Sequence, residues 1–219
     1  MERVSLELAG SKLELLPQKV VYLPAESTLL VADIHLGKSA SHRGLGLYLP
    51  QGADAEDLER LRQLVRQTRS QHLIILGDLF HDRQAMAVDT MTLFENWLES
   101  LDVEVTLVIG NHDRKALKKV TELPISIRSE AYTLGSFLLA HEPQEAEGKF
   151  TLCGHLHPGV RVKDSAGCAH RAKAFWLTDS QLVLPAFGST TSMATVAARA
   201  GDRFYVCADD RLFEVRKEI

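Results

Sequence analysis

Five short apolar runs, each stopping abruptly at polar side chains able to bind metal, constrain this chain more than any other feature. They are Leu29-Leu-Val-Ala-Asp33-Ile-His35, Leu73-Ile-Ile-Leu-Gly77-Asp78, Leu107-Val-Ile-Gly110-Asn111-His112-Asp113, Phe137-Leu-Leu-Ala-His141 and Phe150-Thr-Leu-Cys-Gly154-His155-Leu-His157. Runs of this length read as strands buried on both faces. Ligands of α/β sheets gather beyond the carboxyl ends of such strands. Five strand ends carrying three kinds of oxygen and nitrogen donor therefore predict one shared polynuclear metal site.

The spacing supports a division of labour. Asp33 and His35 are two residues apart, so alternation along a strand end would turn both to one metal. His155 and His157 have the same spacing and can serve different metals if the backbone turns after Gly154. Asp78 can bridge two cations through its two oxygens, Asn111 offers a neutral carbonyl oxygen, and His141 a further imidazole. Imidazole and carboxylate without thiolate suit Mn, Fe, Zn, Ni or Co better than Ca or Mg. We expect two divalent ions, with Mn favoured. Such a pair polarises phosphoryl oxygens and makes hydroxide available from a bridging water near neutral pH. The leaving oxygen then needs a proton, for which His112 is the general acid, with Asp113 holding its tautomer. Basic residues near these loops, Lys38, Arg43, Arg83 and Arg114, are the candidates for substrate contact, with His42 and Lys115 beside them. Any single Asp or His of this set is more often a cap or a surface group than a ligand. The ordered combination is what carries the reading.

The surrounding chain predicts the scaffold. Residues 3–32 read as β-rich, and Asp54–Ser70 as a helix capped by Asp54, with Leu58, Leu61, Leu64 and Val65 as its apolar stripe. A second helix is expected over Val88–Ser100, between strands at Leu73–Leu76 and Val103–Ile109. The order strand, helix, strand, helix, strand implies parallel crossovers. Residues 38–46 read as a polar, glycine-containing loop, and a short basic helix follows Asp113. From Pro124 onward the pattern is of short strands, with Ala194–Gly201 as a loop or short helix. Trp97 and Trp176 read as core residues. With no composition break, the 219 residues are expected to form one domain, 1–219.

Composition narrows the function classes. The formal net charge of −4 argues against a generally basic nucleic-acid binder, though it leaves room for a local basic patch. Three dispersed cysteines give no disulfide framework or CxxC spacing. No secretory apolar segment and no run of roughly 20 apolar residues is found. The expectation is a cytoplasmic protein without a membrane partner.

The motif set Asp33-x-His35, Gly77-Asp78, Gly110-Asn111-His112-Asp113, His141 and Gly154-His155-x-His157 resembles the calcineurin-like metallophosphoesterases. The resemblance spans roughly residues 29–160 and implies an α/β fold, a four-layer α/β/β/α sandwich around a dinuclear centre. It implies Asp33, His35, Asp78 and His157 on one metal, Asp78, Asn111, His141 and His155 on the other, and His112 as the catalytic histidine. Ala32-Asp33-Ile-His35-Leu-Gly-Lys38, Gly77-Asp78-Leu-Phe-His81, Ala140-His141-Glu-Pro143 and Leu184-Pro-Ala-Phe-Gly188 are similar to the bacterial ligase-associated DNA damage response endonuclease PdeM subfamily. That similarity implies a functional association with a DNA ligase. The function expected is metal-dependent hydrolysis of a phosphodiester, with DNA ends or strands in repair as candidate substrates. The alternatives are a small-molecule phosphatase or nucleotide phosphodiesterase, and a non-catalytic interaction scaffold. Substrate, native metal and oligomeric state stay open at this level.

Overall fold

The computed structural model describes residues 2–44, 52–119, 123–163 and 167–216. The first half contains β1 (Val4–Leu8), β2 (Ser11–Leu16), β3 (Val20–Leu23), β4 (Thr28–Val31), α1 (Lys38–Gly44), α2 (Ala53–Thr68), β5 (His72–Leu76), α3 (Val88–Glu99), β6 (Glu104–Val108), α4 (Asn111–Ala116) and β7 (Ser126–Arg128). The second half contains β8 (Tyr132–Leu134), β9 (Phe137–Leu139), β10 (Phe150–Cys153), β11 (Pro158–Lys163), β12 (Ala169–Leu177), β13 (Gln181–Val183), β14 (Ala194–Thr195), β15 (Arg203–Ala208) and β16 (Arg211–Arg216).

Strands β1 to β7 form one sheet in sequence order. The β1–β4 part is antiparallel, with tight turns, and β4 through β7 run parallel, as crossover helices require. In the second sheet β9, β10 and β13 are parallel, and β12 pairs antiparallel to β13 and β15. The carboxyl ends of β4, β5, β6, β9 and β10 are the five predicted ends, and the parallel centres of both sheets deliver them to one region.

Two apolar layers hold this together. Leu30, Ile74 and Leu76 of the first sheet meet Leu139, Leu152, Phe175 and Leu182 of the second. On the other face of the first sheet, Leu29, Leu73 and Leu107 pack under Leu58, Leu61 and Leu64 of α2 and Phe94 and Trp97 of α3. The Trp97 indole donates to the Leu58 carbonyl at 2.8 Å, joining the two helices. Trp176 is likewise buried, its indole donating to Asp202 at 2.9 Å. The expected sandwich is present, and the layer outside its second sheet includes Val196 and Ala198 from a non-helical segment. Within Ala194–Gly201, Ala194–Thr195 adds a two-residue strand beside β11, where a loop or short helix was expected. No helix among the described residues is long and apolar enough to cross a membrane.

Two local expectations are corrected. Asp54 does not cap α2: the cap position is Gly52, and the Asp54 carboxylate accepts instead from the Gly37 amide at 2.9 Å. Residues 38–44 are helical although their Ser and Gly content reads as loop. Ser39 and Ser41 are buried, and the Ser41 hydroxyl donates to Asp82 at 3.0 Å, so tertiary contacts override weak propensity.

Phe175 is fully buried between the sheets. Phe175→Ala should lower unfolding free energy by about 3–5 kcal/mol, read as a reduced urea midpoint with little change in the slope.

Candidate metal centre

Each ligand-bearing segment leaves its strand before the ligand, so strand alternation is not what aligns Asp33 with His35. β4 ends at Val31, and both residues adopt left-handed backbone, each with φ of 56°. Asp78 (53°), His155 (70°) and His157 (46°) do the same. A non-glycine residue in this region costs on the order of 1–3 kcal/mol. The cost is offset by a lattice of amide bonds between the loops. The Asp33 and His35 amides donate to the Gly77 and Asp78 carbonyls at 3.1 and 2.9 Å, and the Gly154 amide donates to the His141 carbonyl at 3.0 Å. The glycines of the motifs are required by close approach. A Cβ on Gly77 would lie 2.1 Å from His141 Nδ1, and one on Gly110 would lie 2.2 Å from Asp78 Oδ1.

The predicted ligands gather into two adjoining clusters, and His35 is shared with a third group, His35, His81 and His112. In one, His157 Nε2 lies 3.2 Å from Asp33 Oδ1 and 3.5 Å from His35 Nε2. In the other, Asn111 Oδ1, His141 Nε2 and His155 Nδ1 lie within 3.0–3.1 Å of one another. His155 and His157 thus face different clusters. Asp78 stands between, with Oδ1 3.5 Å from His141 Nε2 and Oδ2 3.7 Å from His35 Nε2. All seven predicted ligands are brought together, and Asp33, His35, Asp78 and His141 are buried.

The protonation pattern tests whether these atoms fit a cation. His141 Nδ1 donates to the Leu76 carbonyl at 2.9 Å, so in the neutral ring Nε2 carries a lone pair. That lone pair faces the Asn111 carbonyl oxygen, an arrangement that repels unless a cation lies between. Ligand atoms on adjacent sites around a metal at about 2.1 Å are about 3 Å apart, which is the spacing seen. The backbone carbonyl on the far nitrogen is the usual way a metal-bound imidazole is oriented. The donor set fits two divalent ions.

His35 is pushed down to about 2, by burial first and then by the neighbouring His157, so its ring is neutral and able to ligate. Burial raises Asp78 against the pull of His141 and the His112 amide, which donates to Asp78 Oδ1 at 2.8 Å. A buried carboxylate of raised pKa beside imidazole lone pairs is stabilised by a bound cation.

His112 Nδ1 hydrogen-bonds the His81 carbonyl, which leaves Nε2 as the atom that takes up a second proton and can return it. Its ring stacks on His81 at 5.1 Å and meets His35 edge-on at 4.9 Å. Asp113 is not the partner of His112, a correction to the expected pairing. Its oxygens accept from the Phe80 amide at 2.9 Å and the Gly110 amide at 3.0 Å, tying the β5 loop to the start of α4. Burial pushes its carboxyl up to about 6.

His81 is a site residue that the sequence left ambiguous. Its Nδ1 lies 3.4 Å from His35 Nδ1, so it can accept the proton that orients His35, and burial pushes it down to about 4, keeping it neutral. Its position in Gly77-Asp78-Leu-Phe-His81 was the available signal. Of the substrate candidates, Lys38 begins α1 beside His35, half-buried, and burial lowers its pKa. His42 lies edge-on to His81 at 5.5 Å. Arg83 and Arg114 are exposed outside the clusters, Arg114 beside a cavity of about 550 Å³ shared with Glu142. The Arg43 side chain lies outside the described part of the chain.

The Leu184–Gly188 segment clamps the site from the second sheet. Phe187 and Gly188 amides donate to the Ala32 and Asp33 carbonyls at 2.9 and 3.1 Å. Arg60 of α2 donates to the Phe187 carbonyl at 2.8 Å, and Asp57 accepts from Ser189. Sequence reading missed Asp57 and Arg60, which look like ordinary helix-surface charges.

The family model for calcineurin-like phosphoesterases matches residues 27–167. The chain belongs to that family. As a calcineurin-like phosphoesterase it is a metal-dependent hydrolase of phosphoesters. Among solved structures it is similar to the nuclease MPE of Pseudomonas putida, at 33% identity over 98% of this chain and 100% of that one, with a TM-score of 0.81. It is more remotely similar to the phosphoesterase YfcE of E. coli, at 17% identity over 86% of this chain and 98% of that one, with a TM-score of 0.43. Comparison with curated proteins finds no match.

Asp113→Asn distinguishes a structural from a catalytic Asp113. It leaves one buried amide facing a donor and should cost about 1–3 kcal/mol of stability, with the pH–rate profile of the folded enzyme unchanged. Loss of turnover at unchanged stability would instead make Asp113 part of the proton-transfer apparatus.

Proposed function

We propose that this metallophosphoesterase is a dinuclear phosphodiesterase, with Mn as its ion and DNA strands or ends in repair as its substrate class. One observation carries the reading: the Asp78 carboxylate lies between the two clusters with one oxygen toward each. Asp33, His35 and His157 would hold one ion, and Asn111, His141 and His155 the other. Two bound divalent ions supply Lewis acidity toward phosphoryl oxygens and a nucleophile from water at neutral pH.

The chain's own groups do the rest. The His112 amide bond to Asp78 fixes the imidazole beside the carboxylate that would be shared by the two ions. The His81 carbonyl holds the Nδ1 proton, so it is the doubly protonated, cationic ring that would give its Nε2 proton to the departing oxygen, leaving the neutral Nδ1–H tautomer. His81 orients His35 and supports the His112 ring by stacking. Lys38 stands where an anionic phosphoryl group would gain from its charge. Support for a nuclease comes from the similarity to the P. putida nuclease over nearly the whole chain.

With Mn added, bis-p-nitrophenyl phosphate should be hydrolysed and p-nitrophenyl phosphate hydrolysed more slowly. Asp78→Ala should abolish turnover. His112→Ala should lower it by about 10²–10⁴-fold on esters with poor leaving groups, and less on nitrophenyl esters, whose leaving oxygen needs little protonation. Monoester cleavage alone would move the protein to the phosphatases. No turnover of either substrate with Mn, Fe, Zn, Ni or Co would leave a binding scaffold.

A further inference from the structure

β12 pairs with β15 only where Ala174–Leu177 faces Arg203–Val206. Beyond that, the first half of β12 pairs with β11 and the end of β15 pairs with β16. The two hairpins separate there around an open cleft of about 1200 Å³. Lys19, Arg161, Arg171 and Lys173 line it, against Asp209 as the one carboxylate among the described lining residues. This cation excess belongs to a chain of net charge −4, so the positive charge is concentrated rather than general. Phe213 and Val215 also line the cleft, 51% and 38% exposed, and are two of the four exposed large apolar side chains among the described residues.

We propose that this cleft is a docking track for single-stranded nucleic acid that leads into the metal centre. The proposal rests on the phosphodiesterase reading for its substrate class. Guanidinium and ammonium groups beside an exposed aromatic ring are what a single strand offers contacts to, phosphates to the cations and base faces to the ring. A duplex keeps its base faces stacked and would leave Phe213 unused.

Hydrogen bonds tie the wall of the cleft to the segments that hold the site. Arg171 Nη2 donates to the Met193 carbonyl at 3.0 Å, and the next residue, Ala194, donates its amide to the His157 carbonyl at 2.8 Å. Lys173 Nζ donates to the Ala186 and Gly188 carbonyls at 2.8 and 2.7 Å, and the Gly188 amide binds the Asp33 carbonyl. Arg161 lies four residues along the chain from His157, about 13 Å at the usual strand rise. A strand held by Arg161 and Arg171 therefore reaches the metal ligands within a few nucleotides. Burial, with Arg60's charge, pushes Lys19 down to about 8; burial, with Lys19's charge, pushes Lys173 to about 7. Burial is the larger cause on both lysines, so Arg161 and Arg171 supply most of the cleft's charge toward a polyanion.

The test is fluorescence anisotropy with a fluorescein-labelled, phosphorothioate-linked single-stranded oligonucleotide and the Mn-loaded protein, with bis-p-nitrophenyl phosphate hydrolysis measured in parallel. Arg161→Glu with Arg171→Glu should weaken oligonucleotide binding at least about tenfold and flatten its salt dependence by about 0.7 for each phosphate no longer neutralised. Small-diester turnover should be unchanged in Phe213→Ala. Phe213→Ala, at an exposed position, should weaken binding by about tenfold and carries the test should the double variant misfold by circular dichroism. Unchanged affinity and salt slope in these variants would overturn the proposal. So would displacement of the probe by polyglutamate or by duplex as effective as displacement by unlabelled single strand. A wild type that hydrolyses the small diester but does not bind the oligonucleotide loses the track and keeps the diesterase. One that binds with the expected variant dependence but hydrolyses neither nitrophenyl ester loses the diesterase and keeps the track.

Discussion

The buried carboxylate of Asp78 is the constraint on which the rest of the structure depends. It sits, 2% exposed, just past a strand buried from Leu73 to Leu76, between two groups of imidazole nitrogens. Burial alone would favour its protonated form, so its ionised state needs positive charge supplied within the site. The same carboxylate accepts the His112 amide, which couples the position of the His112 ring to that of the carboxylate between the two clusters. Gly77 and Gly110 are small because His141 and Asp78 themselves occupy the space a Cβ would take. The left-handed residues around it are tolerated because neighbouring loops fix their amides and carbonyls.

The two sheets contribute differently to this site. The first, backed by α2 and α3, supplies Asp33, His35, Asp78, Asn111 and His112 from adjacent parallel strands in fixed order. The second supplies His141, His155 and His157, and its loops reach across the sandwich to hold the Ala32 and Asp33 carbonyls. Each cluster contains ligands from both sheets, so metal binding would cross-link the halves of the sandwich in addition to the apolar layer between them.

What was legible in the sequence follows physical scale. Parallel β4, β5 and β6 and helices α2 and α3 were visible because buried strands and amphipathic helices leave periodic apolar patterns over many residues. The candidate ligand set was visible because metal-competent residues recur at strand ends, and the family match over residues 27–167 agrees with the resemblance those motifs carried. Long-range polar partnerships were not visible. Asp54 reads as a cap and instead holds the Gly37 amide; Asp113 reads as the partner of His112 and instead holds two amides. Asp57 and Arg60 gain their meaning only from Phe187 and Ser189, more than a hundred residues away. The aligning of Asp33 with His35 was inferred from strand alternation, whereas left-handed turns beyond the strand achieve it.

The most direct test of the central claim, that Asp78 bridges two ions, is metal content with electron paramagnetic resonance of the Mn-loaded protein. The account predicts two Mn ions per chain with an exchange-coupled spectrum, and loss of that coupling in Asp78→Asn. A single ion per chain, or two ions that are magnetically independent in the wild type, would contradict it.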